Sequence, residues 1–393
     1  MGVNNLSYEQ ISAVLNDLTK QVTGQDIYGP VDSANFTSVA TKLLQTGTDP
    51  LLNAISQMVG KTIFSVRPYN RKLSGIQVDS QRWGYITRKL AVADKDLEND
   101  ASFQMNDGGQ YSHWYVNMPN VLQLNYYGQN AFEKSVSIFK NQLDGAFSSR
   151  ESFGSFIGMV MQNASDMIEQ SRESMARMTL GNFITGKINA GEENVVHLVT
   201  EYNVFINADP QLSWAEIKAS ASEYERFIKW MYGRVATISE MMTERTVMYQ
   251  INVAGKPITR HTPKDRQKIY LISDFMNAMK SMVLSGTYND DFLRYADTEA
   301  VNFWQSPDKP MEINIKPAYI DATGAIVASP TAQNVKPIFA VLLDRDAAGV
   351  NFYDQAVEVS PYEAAGQYYN YWYHDGHRYY NDVTENAVVF LMD

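Results

Sequence analysis

The sequence contains no cysteine among its 393 residues. Disulfide bonds, thiolate metal sites and cysteine nucleophiles are therefore excluded together. A chain without cysteine is typical of a reducing compartment, or of a particle whose stability does not depend on redox chemistry.

Long apolar runs are also missing. The longest ones, 338–343 and 387–392, span about six residues, whereas a membrane-spanning helix needs roughly 18 or more. The first twenty residues carry polar and acidic groups throughout and do not resemble a signal peptide. We therefore expect a soluble protein that is made in the cytoplasm and has no membrane partner.

An excess of positive charge is absent as well. The chain has 33 Lys and Arg against 44 Asp and Glu, which gives a formal net charge of −11. An acidic protein repels the phosphate backbone, so this composition disfavours general nucleic-acid binding.

No familiar catalytic motif is present. The sequence has no Gly-x-Ser-x-Gly elbow at a strand-to-helix turn, no phosphate-binding loop and no Gly-x-Gly-x-x-Gly fingerprint. His374 and His377, with Asp375 between them, could supply metal ligands, but the surrounding tyrosines favour packing in a sheet. Asp344 and Asp346 could hold a divalent ion, but a turn with an Arg–Asp pair explains them better. We predict no enzyme activity, no cofactor and no metal.

The aromatic run Tyr368–Tyr380 leaves another interpretation open. Seven of its residues are Tyr or Trp, and such a run could form a stacking platform for sugars or bases. Packing in a core or an interface is the simpler interpretation, because Arg378 is the only Arg or Lys in the run.

The rest of the chain is organised around a long predicted helix, 148–187. Ser148 and Glu151 form a capping box at its start, and no proline follows until Pro210. At 1.5 Å per residue this helix would be roughly 55–60 Å long, which is enough to join separate lobes. Its apolar stripe is Phe153, Ile157, Val160, Ala164, Met167, Met175 and Met178, and its opposite face carries Asp166, Glu169, Arg172, Glu173 and Arg177. Glu173 and Arg177 are spaced for an ion pair.

Segment 63–127 predicts a projecting β-hairpin. Its strands, rich in β-branched and aromatic residues, are Ile63–Arg67, Gly75–Val78, Tyr85–Val92 and Trp114–Tyr127. The first arm is basic and the tip is acidic, so complementary neighbours could hold the hairpin. The residues that we expect at contacts between subunits are Arg71, Lys72, Arg82, Arg88, Lys89, Asp94, Asp96, Glu98 and Asp100. The alternative is an ordinary hairpin exposed to solvent, which could have the same separation of basic and acidic residues.

Other segments complete the predicted layout. Residues 1–62 read as short helices, which dock on a neighbouring subunit or fold onto their own domain. Apolar patterns and capping signals then predict a strand at Val195–Asn207, a helix at Ser213–Glu244, a surface loop at Asn302–Ser329, and strands at Lys336–Asp344 and Ala387–Met392. The final strand should pair with a sheet built from earlier chain, and the methionine-rich stripe of the long helix should pack on it.

These elements suggest five regions. They are a helical N-terminal arm at 1–62, the extended hairpin at 63–127, a domain with the long helix at 128–195, an α/β lobe at 196–350, and C-terminal strands at 351–393 that return to the long helix. The predicted fold class is α+β.

In this order, the elements resemble the major capsid proteins of tailed bacteriophages, most closely those of small short-tailed phages. The stretches that carry the resemblance are Met118–Val121, Leu271–Asp274, Val341–Asp346, Tyr369–His374 and Asn386–Phe390. The resemblance implies the Hong Kong 97-type capsid fold. In that fold the hairpin would be the E-loop, the long helix would be the spine of the P-domain, and the α/β lobe would be the A-domain.

The resemblance also implies a function. The chain would self-assemble through pentamers and hexamers into an icosahedral shell that encloses double-stranded DNA without binding it specifically. A portal protein would occupy one vertex. A separate scaffolding protein is expected, since no long coiled-coil extension precedes the arm. Assembly would take place in the cytoplasm of the host bacterium.

Two other functions stay open at this point. One is an encapsulin-like nanocompartment shell, which would enclose protein cargo. The other is a carbohydrate-binding or hydrolytic protein that uses the C-terminal aromatic and histidine cluster.

Overall fold

The computed structural model describes residues 72–78, 87–93, 114, 120–126, 129–142, 150–245, 260–283, 297–321, 323 and 325–393. The predicted N-terminal helices at 1–62 and the predicted hairpin tip lie outside these residues. The described part is a mixed α+β fold, in which a long helix lies against two sheets.

The long helix, α1, spans Arg150–Ala190 and has 41 residues. Its length confirms the prediction made from the capping box and the proline-free sequence. The predicted orientation of its faces is only partly right. Met175 of the predicted apolar stripe is buried. Glu169, Arg172 and Glu173 are buried, whereas the side chains of Met167 and Met178 are 40% and 37% exposed. Ion pairs compensate the buried charges. Among the side chains of α1 that the structure describes, the buried apolar ones are Ile168, Met175, Ala176, Leu180, Phe183 and Ile184.

The main core surrounds a five-stranded sheet with the order β4-β14-β11-β5-β6. Its strands are β4 (Val195–His197), β5 (Gln267–Ile272), β6 (Asp297–Val301), β11 (Ile338–Asp344) and β14 (Ala387–Leu391). All residues of β5, β11 and β14 are buried. The apolar runs of β11 and β14 predict this burial.

Strand β14 lies inside this sheet. It pairs in parallel with β4 and antiparallel with β11, and α1 packs against it. The prediction that the final apolar strand joins a sheet built from earlier chain is confirmed. The proposed division of the chain at residue 350 stays a prediction.

A second sheet has the order β12-β13-β3. Its strands are β3 (Gln129–Phe139), β12 (Ala348–Val359) and β13 (Tyr368–Asn381). The central strand β13 buries alternate side chains, including Tyr369, Tyr371 and Tyr373, as a strand with one covered face must. Helix α1 packs on this sheet as well.

The hairpin consists of β1 (Thr87–Ala93) and β2 (Asn120–Tyr126), which pair antiparallel from Thr87↔Tyr126 to Ala93↔Asn120. This confirms the predicted pairing of the two arms where the structure describes them. The strand predicted at Gly75–Val78 is wrong. Ser74–Ile76 is a 3-10 turn, and Gln77 forms a single isolated bridge with Val350.

The segment after α1 differs from its prediction. Only Val195–His197 is a strand, and Leu198–Ile206 is helix α2. Leu198, Val199 and Tyr202 are buried, which is the spacing of one helical face. β-branched residues suggested a strand, but packing against the core selected the helix.

The helix predicted at Ser213–Glu244 is two helices, α3 (Trp214–Ala219) and α4 (Ala221–Met241). The capping box of Ser213 and Glu216 is confirmed. Ser220 adopts an extended conformation and caps α4, which breaks the helix. Helix α5 (Ser273–Val283) follows β5 directly.

The region predicted as a surface loop, Asn302–Ser329, contains β7 (Ile313–Ile315), β8 (Ala318–Ile320) and β9 (Ile326–Ala328), and β10 (Gln333–Val335) pairs with β7. Trp304 and Tyr319 are buried. Because Tyr319 packs within about 3 Å of the Cβ position of Gly186, this region is part of the core packing around α1.

Candidate functional site: the root of the hairpin

A buried ionic cluster holds the root of the hairpin. Lys89 on β1 places its ammonium 2.8 Å from Asp382 Oδ2 and 2.5 Å from Glu385 Oε1. It also donates to the carbonyl oxygen of Asp346 at 3.2 Å. Both carboxylates lie between β13 and β14, so the cluster ties the hairpin to the segment that joins the two sheets.

Three further side chains complete the cluster. Arg260 forms an ion pair with Glu385. Tyr126, on the other arm of the hairpin, is buried, and its pKa is raised by burial and by the neighbouring Asp382. Lys187, near the end of α1, is fully buried, and burial lowers its pKa to about 7. The cluster is thus formed by Lys89, Tyr126, Lys187, Arg260, Asp382 and Glu385.

The charges within the cluster support one another. Burial alone would raise the pKa of Asp382 and of Glu385, but Lys89 and Arg260 hold both below their usual values. Burial alone would lower the pKa of Lys89, and the two carboxylates raise it instead. These paired charges fix the orientation of the hairpin relative to the segment between β13 and β14, because removing one partner would leave another charge buried without compensation.

A second ionic contact joins α1 to the three-stranded sheet. Arg172 donates from Nε to Asp375 Oδ2 at 2.9 Å and from Nη2 to Asp375 Oδ1 at 3.3 Å. It also donates to Glu169 at 3.0 Å, and its guanidinium lies 4.4 Å from the ring centroid of Phe352. The long helix and the sheet are therefore positioned by directional contacts as well as by apolar packing.

The metal-binding interpretation of the histidine pair is not supported. His374 and His377 are three residues apart on a strand, so their side chains point to opposite faces. His377 is buried and lies 3.1 Å from Asp375. Within the described residues, no group of three or more acidic or histidine side chains is arranged to hold a metal ion.

Asp344 and Asp346 are bound by an arginine, as predicted, but this arginine does not come from the same turn. Arg266 contacts both carboxylates, while Arg345 pairs with Asp297 at 3.2 Å. The stacking-platform interpretation is not favoured, because Tyr369, Tyr371 and Tyr373, three of the seven aromatic residues in the run, are at most 3% exposed.

The predicted subunit-contact residues are only partly described. Arg88 is exposed on β1. Lys72 is exposed, and its backbone N–H donates to Glu173 at 3.2 Å. Lys89 belongs to the cluster above. The other six, Arg71, Arg82, Asp94, Asp96, Glu98 and Asp100, lie outside the described residues. The role of all nine between subunits stays a prediction.

Sequence reasoning missed most of the ionic cluster. One signal was available for Lys187: it follows Leu180, Phe183 and Ile184 at helical spacing, so it continues a buried face. Nothing local connects Lys89 with Asp382 and Glu385, since these residues come together only through the fold.

Comparison with known proteins identifies the chain. A sequence model of the Phi29-like phage major capsid protein family matches residues 11–391. The chain belongs to this family. It is a structural capsid shell protein and a component of the virion rather than an enzyme, and it self-assembles into the shell. Neither a nanocompartment shell nor a carbohydrate-binding protein is favoured.

Solved phage structures share the fold. A chain in the capsid structure of Staphylococcus phage Andhra is 10% identical, with a TM-score of 0.53; the match covers 84% of this chain and 86% of that one. A chain in the structure of the head fiber and inner core protein gp22 of native bacteriophage P68 is also 10% identical, with a TM-score of 0.57 and coverage of 82% and 85%. Among curated proteins, none matches the sequence. Of the helices that the structure describes, none is long and apolar enough to cross a membrane.

Proposed function

We propose that this capsid protein adopts the Hong Kong 97-type arrangement and forms the pentamers and hexamers of an icosahedral shell. In this arrangement α1 is the spine helix of the P-domain, together with the three-stranded sheet. The hairpin β1–β2 is the E-loop, and the five-stranded sheet belongs to the A-domain.

The observation that carries the proposal is the contrast between the root and the surface of the hairpin. At the root, Lys89 is bound by the buried carboxylate of Asp382 and the partly buried carboxylate of Glu385. Next to it, Arg88 is exposed and the side chain of Leu90 is 62% exposed. A projecting hairpin is marginal in water by itself. A fixed root with exposed charged and apolar side chains suits an arm that binds a neighbouring subunit.

The nine predicted contact residues are part of this proposal. Lys72, Arg88 and the six residues outside the described part would contact neighbouring subunits through complementary charge. Lys89 would act by setting the direction of the hairpin, since its ammonium is already bound within its own chain.

The proposed contents and partners follow from charge and from the family. The net charge of −11 suits a shell around double-stranded DNA that must not adhere to its inner wall. We propose a separate scaffolding protein, a portal protein at one vertex, and assembly in the cytoplasm of the host bacterium.

Electron microscopy of the protein after co-expression with its scaffolding protein tests the proposal. Closed icosahedral particles with pentameric and hexameric units are expected. A protein that stays monomeric under every assembly condition would overturn it. Particles filled with a protein cargo rather than DNA during infection would favour a nanocompartment instead.

Charge reversal tests the hairpin separately. The double variant Arg82→Glu/Arg88→Glu should impair assembly without changing the unfolding temperature of the subunit. Arg226→Glu is the matched control, because Arg226 is an arginine on α4 whose side chain is 58% exposed. Normal particles from the double variant would count against a role of the hairpin between subunits.

A further inference from the structure

Residues 72–78 form a strap across the junction between the two sheets. Their main chain donates hydrogen bonds to three separate elements. The pairs are Lys72 N–H with Glu173 Oε2 on α1 at 3.2 Å, Gly75 N–H with Glu299 Oε2 on β6 at 3.3 Å, and Val78 N–H with the carbonyl oxygen of Val350 on β12 at 3.0 Å. The strap therefore contacts the long helix, the five-stranded sheet and the three-stranded sheet together.

Two apolar side chains anchor the strap. Leu73 and Ile76 are 1% and 3% exposed and belong to the main core. Leu73 also has a left-handed backbone, with a φ of 61° and a ψ of 32°, which is uncommon for a residue other than glycine. Such a conformation persists only where its surroundings enforce it. The closed strap is therefore a strained segment that is held in place by its burial.

The two carboxylates that bind the strap have cationic partners elsewhere. Glu173 pairs with Arg177 on α1 at 2.6 Å, and Glu299 pairs with Lys268 on β5 at 3.3 Å. If the strap leaves, each carboxylate keeps its cation, so the penalty for an uncompensated buried charge does not arise. The hydrogen bonds of the strap can therefore break while the ion pairs beneath it stay intact.

Gly75 is the position at which the strap comes nearest to Lys268. A Cβ at position 75 would overlap the Nζ atom of Lys268 and would lie 3.0 Å from Glu299 Oε2. The side chain of Lys268 is only 9% exposed, and its ammonium pairs with both Asp297 and Glu299. A residue with a side chain at position 75 must therefore displace either this ammonium or the strap.

We propose that residues 72–78 are a latch that opens as one unit while both sheets stay folded, and that its closure fixes the angle between the sheets. Local units of a protein commonly open in this way without global unfolding. When the latch is open, the described connections that remain between the sheets are α1 and the chain that links β11 to β12 and β13 to β14. The use of the latch in a shell rests on the proposed function, since pentamers and hexamers place one chain in two settings.

Hydrogen exchange of the full, unassembled chain tests the opening. In the unsubstituted protein, the amides of Ile76, Gln77 and Val78 should exchange with similar protection, and at least about tenfold faster than those of β5 and β11. If the strap were as protected as β11, it would open only with the whole subunit, and the latch would be ruled out.

A matched pair of glycine substitutions tests the fit at Lys268. Gly75→Ala should speed exchange at 76–78 by about tenfold or more and leave β11 unchanged. Gly233→Ala is the control, because an added Cβ at Gly233 on α4 meets no atom within 4 Å. The double variant Gly75→Ala/Lys268→Ala removes the overlapping ammonium and should restore most of the protection. Equal exchange in the two single variants, or no recovery in the double variant, would overturn the assignment.

Spin labels measure the angle between the sheets. Because the chain contains no cysteine, cysteines introduced at Glu358 and Arg226 are the only labelling sites. Glu358 is exposed on β12, and Arg226 is exposed on α4, which packs against α5 beside β5. The distance between the labels should shift or broaden in Gly75→Ala and stay as in the unsubstituted chain in Gly233→Ala. An unchanged distance in a variant whose strap has lost protection would show that the strap does not set the angle.

The latch and the proposed function fail in different experiments. Both the exchange and the distance measurements use the unassembled subunit, so they decide the latch whatever particles the chain forms. Particles without pentamers and hexamers would overturn the proposed arrangement of the shell and leave the results on the latch standing.

Discussion

Arg172 and Asp375 form a two-point ion pair between the long helix and the central strand of the three-stranded sheet. The two side chains are 6% and 5% exposed. Burial alone would raise the pKa of Asp375, but the hydrogen bonds from His377 and Arg172 hold it below its usual value. The pair fixes how α1 is rotated against the sheet, since both partners must keep their geometry to stay compensated.

Removing Arg172 should destabilise the subunit strongly. Arg172→Ala leaves the carboxylates of Glu169 and Asp375 buried without their cation, and we expect a loss of about 3 kcal/mol or more in the free energy of unfolding. Arg172→Lys is the matched control, because it keeps the charge and loses only the two-point geometry. Urea unfolding of the two variants measures both effects. A loss below about 1 kcal/mol for Arg172→Ala would show that water replaces the guanidinium, as at a surface pair.

Lys89→Met should loosen the root of the hairpin. The substitution leaves Asp382 and Glu385 buried with only part of their positive neighbourhood, so amide hydrogen exchange in 87–93 and 120–126 should become faster. The adjacent Arg88→Met should leave exchange unchanged, because Arg88 is exposed. Equal protection in both variants would mean that strand pairing alone orders these residues.

Lys187 should make the stability of the subunit depend on pH in the neutral to basic range. Its folded pKa of about 7 lies below the ordinary value of about 10.4. Between these two values the unfolded chain binds more protons than the folded one, so stability should rise with pH over this range. Lys187→Met should flatten the rise. Denaturant unfolding at pH 7 and pH 9 measures the difference, and an unchanged slope in the variant would contradict this prediction.

His197 should have the opposite effect, since its contribution to the stability of the subunit should fall as pH rises. It lies 2.6 Å from Asp393 Oδ1 and 3.2 Å from Glu192 Oε2. Burial lowers the pKa of His197, but these two acceptors raise it overall. Its contribution to stability is therefore complete below the unfolded pKa of about 6.5 and is lost as pH rises through the higher folded value.

The variant His197→Asn checks this sign. The side chain of His197 is 37% exposed, so we expect the wild-type advantage at pH 5.5 to be below about 1 kcal/mol and to vanish by pH 9. Thermal unfolding at the two pH values measures it. An advantage that grows with pH would show that the neutral ring is the stabilising form.

The sequence predicted elements best where local signals were complete. The Ser148–Glu151 pattern and the lack of proline indicated α1, and the apolar runs indicated β11 and β14. Helix α2 was missed because the apolar residues at 195, 198, 199, 204 and 206 suggested strand alternation, whereas the buried positions Leu198, Val199 and Tyr202 follow one helical face. The break at Ser220 was missed because a serine inside an amphipathic pattern does not by itself end a helix.

The candidate site was harder to predict than the fold. Lys89 was recognised as part of a charged arm, but its partners Asp382 and Glu385 come from the far end of the chain. Charge pairing over such a separation depends on topology, which local patterns do not contain. The buried Arg172 was likewise placed on a solvent face, because a charged residue at helical spacing ordinarily lies there.

The position of β14 has a consequence for the timing of folding. Ala387–Leu391 lies between β4 and β11, although the ribosome makes it after every other strand of that sheet. Until Leu391 has left the ribosome, β4 has no partner among the described strands of the sheet, and β11 lacks its neighbour on one side. The central sheet therefore closes only after synthesis of this segment, and a chain interrupted before Ala387 would present unpaired apolar edges of the kind that chaperones bind and that aggregate. A chain truncated before Ala387 should therefore supply no subunits to the shell.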